Sequence, residues 1–185
     1  MKLIKRIILT VVVLAAAIYL LSFAIDRAMT GLYPHKYVSL VEKYSSEYGV
    51  DEDLVYAVIK CESGFDPDAV SDADAKGLMQ LTDDTFEWVQ TKLHESGYTA
   101  EDLFDPETAV KYGTKLLSLH LAEFGDERLA LAAYHAGRSA VTGWLADDKY
   151  TDSTGLHTIP YKETNVYVER VLNTKNIYEK IYRED

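Results

Sequence analysis

One cysteine in 185 residues, Cys61, leaves no partner for a disulfide and too few thiols for a cysteine-based zinc site. Proline is scarce as well, at 4, and 48% hydrophobic residues make this the composition of a folded chain rather than a disordered one. Positive charge is short: 19 Lys and Arg face 30 Asp and Glu, for a net charge of −11. The first 35 residues carry +3 and the remainder −14, with no basic stripe, so no nucleic acid partner is expected. Period-two alternation, hairpin signals and internal repeats are also missing, which leaves an all-α fold class. A chain of this length supports one domain, held together by packing alone.

What is present begins with an uncharged run from Ile7 to Ile25, preceded by Lys2, Lys5 and Arg6. A helix of that length approaches the ~30 Å hydrocarbon core of a bilayer. The basic residues place the N-terminus in the cytoplasm and the rest of the chain outside. The reading is therefore a basic tip (1–6), a transmembrane anchor (7–25), a spacer (26–36) and a domain (37–185). A cleaved signal peptide, cut after Ser22-Phe23-Ala24, is the competing reading, and it exports the domain equally.

Asp53 to Ser63 reads as an amphipathic helix, with Leu54, Ala57, Val58 and Cys61 on one apolar stripe. Glu62 falls in its last turn and Gly64 is a stop signal. A carboxylate at the negative end of a helix dipole, beside apolar surface, is biased toward its neutral form. That is what a general acid requires, so Glu62 is the candidate catalytic residue.

Around it the spacing predicts a helix over Tyr37–Tyr48 ended by Gly49, and a turn-rich loop over Gly64–Lys76. Thr82 caps a helix that runs to Leu93 and stops near Gly97. Asp105-Pro106-Glu107 starts a helix reaching Phe124, Asp126 starts another that ends at Ala136, and Ser139–Leu145 is a short one. Asp147–His157 is a polar, mobile excursion, and a closing helix follows Pro160 through Val166, Val171, Ile177 and Ile181.

Four words in fixed order, Glu62-Ser63, Gly77-Leu78-Met79-Gln80, Ala133-Tyr134-His135-Ala136-Gly137 and Glu163-Thr164, carry a resemblance. From Tyr37 to Tyr182 the chain resembles the lytic transglycosylase catalytic domain of the goose-lysozyme-like superfamily. The resemblance implies a lysozyme-like α-helical domain acting on peptidoglycan glycan strands, with no cofactor and no metal. Glu62 would act first as acid and then as base on the bond between N-acetylmuramic acid and N-acetylglucosamine, leaving 1,6-anhydro ends. Ser63 and Ser71 would fix the backbone around it. Gly77, Met79 and Gln80 belong to the word that lines the saccharide cleft. Tyr134, His135, Glu163 and Tyr167 complete the implied substrate-binding set. His135 departs from the pattern, since the family usually has Asn there; an imidazole replaces one amide hydrogen bond, not the donor–acceptor pair. Taken singly, Met79 reads as core, Tyr134 as a core phenol with a satisfied hydroxyl, and Glu163 as a solvated face.

Other chemistries fit less well. A cysteine hydrolase built on Cys61 with His120 or His135 is disfavoured, because a nucleophilic thiolate belongs at a helix N-terminus. Asp72 to Asp83 imitates a calcium loop, but Lys76 occupies a ligand position and the twelfth residue is Asp rather than Glu. A lysozyme-type muramidase would need a second carboxylate from Asp66, Asp68, Asp72 or Asp74. A non-catalytic wall-binding scaffold would be expected to have lost Glu62. Wall growth, division and service to an envelope-spanning machine all suit a tethered enzyme of this kind.

Overall fold

A computed structural model describes residues 2–152, 155–156 and 158–183. Within them the chain is helical almost throughout. Helix α1 (Lys2–Leu32) includes the apolar run, with an 18-residue window of mean hydropathy 2.7, none of it buried. It is long and apolar enough to cross a membrane. It does not stop at Ile25. The segment read as a spacer contains no proline before Pro34, and the helix continues through Gly31 to Leu32. Proline then disfavours helical backbone at the residue before it.

The residues that follow, Tyr33 to His35, are pinned to the rest of the molecule. The Tyr182 hydroxyl donates to the Tyr33 carbonyl at 2.7 Å, and the Tyr178 hydroxyl to the Pro34 carbonyl at 3.1 Å. The His35 ring packs against Tyr56 and Tyr182, with centroids 4.3 and 4.4 Å away.

Helix α2 (Val38–Tyr48) ends on Gly49 in the left-handed region. Helix α3 (Glu52–Glu62) is capped by Asp51, whose carboxylate accepts from the Asp53 amide. The expected amphipathic stripe becomes a helix buried on every side from Asp53 to Ile59, because α2 and the last helix both pack on it and the following loop covers its end. That loop (residues 63–82) holds two single bridges, Val70 to Lys76 and Lys76 to Leu81. Helix α4 (Asp83–Leu93) stops at His94, itself in the left-handed conformation, and not at Gly97. Thr82 occupies its cap position but its hydroxyl bonds Thr85 instead of an amide.

A 3₁₀ turn (Ala100–Phe104) leads into α5 (Pro106–Phe124), where Asp105 caps and Gly125 terminates as the sequence predicts. Helix α6 (Glu127–Ala136) is capped by Asp126, and α7 (Arg138–Leu145) follows it directly. The polar excursion contains a two-stranded ladder, β1 (Thr151–Asp152) with β2 (Gly155–Leu156), too short to leave an alternating pattern. Ser153, Thr154 and His157 of that excursion lie outside the described residues. Helix α8 (Lys162–Tyr182) closes the chain and packs along α3 and α6. It thus spans both the pinned junction and the region around Glu62.

Candidate active site

Glu62 is the last residue of α3, where Tyr167 of α8 reaches it: the phenol donates to Oε1 at 2.6 Å. Burial pushes the Glu62 carboxyl up to about 7, opposed by the Tyr167 hydrogen bond and then by the positive charge of Arg170. No second carboxylate is among the groups acting on it within the described residues. Tyr167 is only 3% exposed, and burial holds its phenol well above the usual range. Tyr134 of α6 is shifted the same way, by burial and then by the Glu62 charge. Both phenols that sense the Glu62 charge therefore stay protonated.

The loop words prove mostly architectural. The Ser63 hydroxyl lies 2.9 Å from the Leu78 carbonyl and 3.2 Å from the Ile59 carbonyl, and accepts from the Phe65 amide. This ties the end of α3 to the strand-like loop that returns over it. Ser71 is exposed, and its hydroxyl accepts from the Ala75 amide at 3.2 Å, closing the loop's tip. Gly77 is obligatory: at φ +73° it passes the Leu103 carbonyl so closely that a Cβ would lie 1.9 Å from that oxygen. Gln80, with φ +51°, donates its side-chain amide to the Ala69 and Gly77 carbonyls, both at 3.0 Å. Met79 points its side chain into the core against Gly113, fully buried, which takes the thioether out of reach of a cleft. Its carbonyl is what matters locally, accepting from the Tyr134 hydroxyl at 2.6 Å.

The remaining sequence-derived residues gather on the other side of Tyr167. His135 and Glu163 line two adjoining openings of about 410 and 390 Å³. Both residues are exposed. His135 Nδ1 is 3.2 Å from the Thr164 hydroxyl and its ring lies 4.5 Å from that of Tyr167. Burial, and secondarily Arg170, hold its pKa down, which favours neutral imidazole. Glu62, Tyr134, Tyr167, His135 and Glu163 are thus brought together, while Ser63, Ser71, Gly77, Met79 and Gln80 shape the backbone beside them.

Three contributors escaped the sequence reading. Arg170 lines the second opening and stands over the Tyr167 ring, 5.7 Å from its centroid. Tyr161 is exposed at the first opening, edge-on to Trp144. Beyond Tyr134, a hollow of about 330 Å³ is lined by Thr85, Trp88, His120 and Arg138. The spacing of Arg170 three residues after Tyr167 was the available signal.

The rival chemistries have no geometry behind them. Cys61 bonds Thr174 across 3.6 Å, burial raises its thiol pKa, and neither His120 nor His135 is its partner. In the calcium-like loop, the Lys76 ammonium lies between Asp74 (3.0 Å) and Asp83 (2.7 Å), supplying the cation itself. Elsewhere Asp51, Asp53 and Glu179 converge, but Arg183 (2.6 Å from Asp53) and Lys175 already neutralise them.

Comparison with known proteins places this geometry. The family model for the Transglycosylase SLT domain matches residues 39–155. The soluble lytic murein transglycosylase of Escherichia coli K12 is 31% identical over 155 residues, covering 82% of this chain and 23% of its own. Membrane-bound lytic murein transglycosylase C of Photorhabdus laumondii is 36% identical over 125 residues, covering 62% of this chain and 35% of its own. Among solved structures, the 70 kDa soluble lytic transglycosylase of E. coli superposes with a TM-score of 0.77 at 29% identity. It covers 84% of this chain and 26% of that one. An inactive mutant of the Pseudomonas aeruginosa enzyme gives a TM-score of 0.71 at 30% identity, covering 80% of this chain and 24% of that one. The chain spans about a quarter to a third of the length of these relatives.

Proposed function

The chain belongs to the SLT-type lytic transglycosylase family, and we propose that it cleaves the β-1,4 bond between N-acetylmuramic acid and N-acetylglucosamine in peptidoglycan without consuming water. The observation that carries this reading is the environment of Glu62: a single carboxyl group, raised to about 7 by burial, with a phenol donating to one oxygen. A group of that strength gives and regains a proton at ordinary pH.

Glu62 donates its proton to the glycosidic oxygen, the bond to the anomeric carbon breaks, and the N-acetylglucosamine hydroxyl departs. The sugar's own 2-acetamido group relieves the positive charge left on that carbon. Glu62, now ionised, takes the proton from the muramic acid C6 hydroxyl as its oxygen attacks the anomeric carbon. The 1,6-anhydro ring forms and the carboxylic acid is restored. Tyr167 holds Glu62 Oε1 throughout, so the free oxygen faces the sugar. Tyr134 fixes the backbone at Met79 beside it, and His135 and Glu163 contact saccharide from the α6–α8 side. The backbone donors and turns of Ser63, Ser71, Gly77 and Gln80 keep the loop wall of the cleft in place.

Helix α1 tethers the domain to the membrane on its outer side, as a retained anchor. This reading is supported by the length and hydropathy of α1 and by the docking of residues 33–35 on the domain. Its substrate is then wall close to the bilayer.

The test is mass spectrometry of muropeptides released from purified peptidoglycan by the full chain in detergent. Anhydro-ended products, lighter by one water than hydrolysis products, are expected. Reducing ends would make the protein a lysozyme-type hydrolase. Binding without release would make it a scaffold.

A further inference from the structure

Tyr167 and Arg170 are three residues apart and share one face of α8. The Arg170 guanidinium stands over the Tyr167 ring at 5.7 Å and donates through Nη2 to the Cys61 carbonyl at 3.3 Å. That carbonyl belongs to the last turn of α3, whose C=O groups lack partners within the helix. One side chain therefore touches both the residue preceding Glu62 and the phenol that bonds it. Among the described residues Arg170 makes no ion pair, although most charged contacts in this acidic chain are paired: Glu169 beside it, for example, bonds Arg128. Its charge is not cancelled at short range.

We infer that Arg170 is a positioning residue of the active site, a fixed cation that clamps the end of α3 to the Tyr167 ring and stabilises the ionised form of Glu62. The inference rests on Glu62 being the proton donor of the proposed reaction. Burial alone would leave Glu62 a poor acid, holding its proton too firmly. A cation held close by makes it easier to release, and the carboxylate waits beside that charge until the C6 hydroxyl returns a proton. A guanidinium suits this place because it stacks on an aromatic face while still donating in its own plane. It also stays charged at every working pH.

The groups that face Glu62 are Tyr167 and Arg170 from α8, Tyr134 from α6 and Cys61 from its own helix, with His135 and Glu163 further out at the openings. Of these, Arg170 alone is a permanent cation. The two phenols and the thiol have their pKa values raised and remain neutral.

The experiment follows the Glu62 carboxyl through a pH titration by carbon-13 NMR, in the full chain in detergent, alongside the pH profile of anhydro-product release. Three chains are compared: unaltered, Arg170→Gln and Arg170→Lys. Glutamine keeps a donor for the Cys61 carbonyl and loses the charge, whereas lysine keeps the charge. Arg170→Gln should move the Glu62 midpoint up by about half to one pH unit and lower the rate at pH 5 three- to tenfold. Its alkaline limb should move up by the same interval, and Arg170→Lys should restore most of both. Arg170 is exposed, so circular dichroism should report an unchanged fold in each variant. A Glu62 midpoint in Arg170→Gln that superimposes on the unaltered one would overturn the inference. So would a shift that lysine fails to reverse, since charge would then not be the agent. Absence of anhydro products from the unaltered chain would instead remove the functional reading and leave the titration result standing.

Discussion

Tyr167 and Glu62 lie 105 positions apart in the chain and meet at 2.6 Å, phenol to carboxylate. The contact exists because α8 packs lengthwise on α3, so two distant parts of the sequence become one carboxyl–phenol pair. Tyr167→Phe deletes the donor and leaves the ring. The Glu62 carboxyl, already near 7, should then titrate at higher pH, and turnover should fall about tenfold. A titration midpoint that stays in place would show that the hydrogen bond does not tune the acid.

Glu62→Gln separates chemistry from stability. Turnover should fall at least ~10³-fold, since the amide cannot give and regain the proton. The stability effect has the opposite sign. The folded pKa of about 7 lies above the unfolded value near 4.5, so the folded state binds the proton more tightly. Stability from this group is therefore full below about pH 4.5 and is lost as pH rises through 7. The amide does not ionise, so its melting temperature relative to the unaltered chain should rise between pH 4.5 and pH 8. The change corresponds to roughly 2–3 kcal/mol. Parallel melting curves at every pH would contradict the burial argument.

His135→Asn introduces the residue that the resemblance leads one to expect at this position. If the side chain contacts saccharide, activity against peptidoglycan should stay level or rise up to a few-fold. A loss of tenfold or more would mean that the imidazole, through Thr164 or the Tyr167 ring, has acquired a task an amide does not perform.

Gly77→Ala should be among the most damaging single changes. The new methyl would meet the Leu103 carbonyl oxygen at 1.9 Å in a backbone conformation that side chains avoid. A loss on the order of 3 kcal/mol or more is expected, read as a lowered denaturant midpoint. Gly64→Ala, which meets nothing within 4 Å at a similar φ, is the control and should cost about 1 kcal/mol.

Helix starts were legible where a cap residue marked them, followed by proline at Asp105 and standing alone at Asp126, because those signals act over three or four residues. Glu62 was legible for a related reason: its place in the last turn of α3 follows from local spacing. The end of α4 at Leu93 was legible but its terminator was not, because His94, not Gly97, adopts the left-handed conformation there. The full burial of α3 was invisible because it depends on what packs against the polar-looking face, and Met79 lost its cleft role to the same cause. Arg170 was overlooked because its one signal, a spacing of three from Tyr167, gains meaning only when the packing of α8 gives it the Cys61 carbonyl to act on.

On the proposed reading of an anchored enzyme, the junction at Tyr33 and Pro34 sets how it searches. Tyr178 and Tyr182 grip the chain immediately after α1, and α1 is helical to Leu32, so no loose leash separates membrane from cleft. At 31 residues the helix is about 46 Å long, some 15 Å more than a bilayer's hydrocarbon core. With α1 in the membrane as proposed, the domain stands on a short mast, held at its foot by two tyrosine hydroxyls. On that reading, new bonds are reached by movement in the plane of the bilayer, at a height that the length of α1 sets.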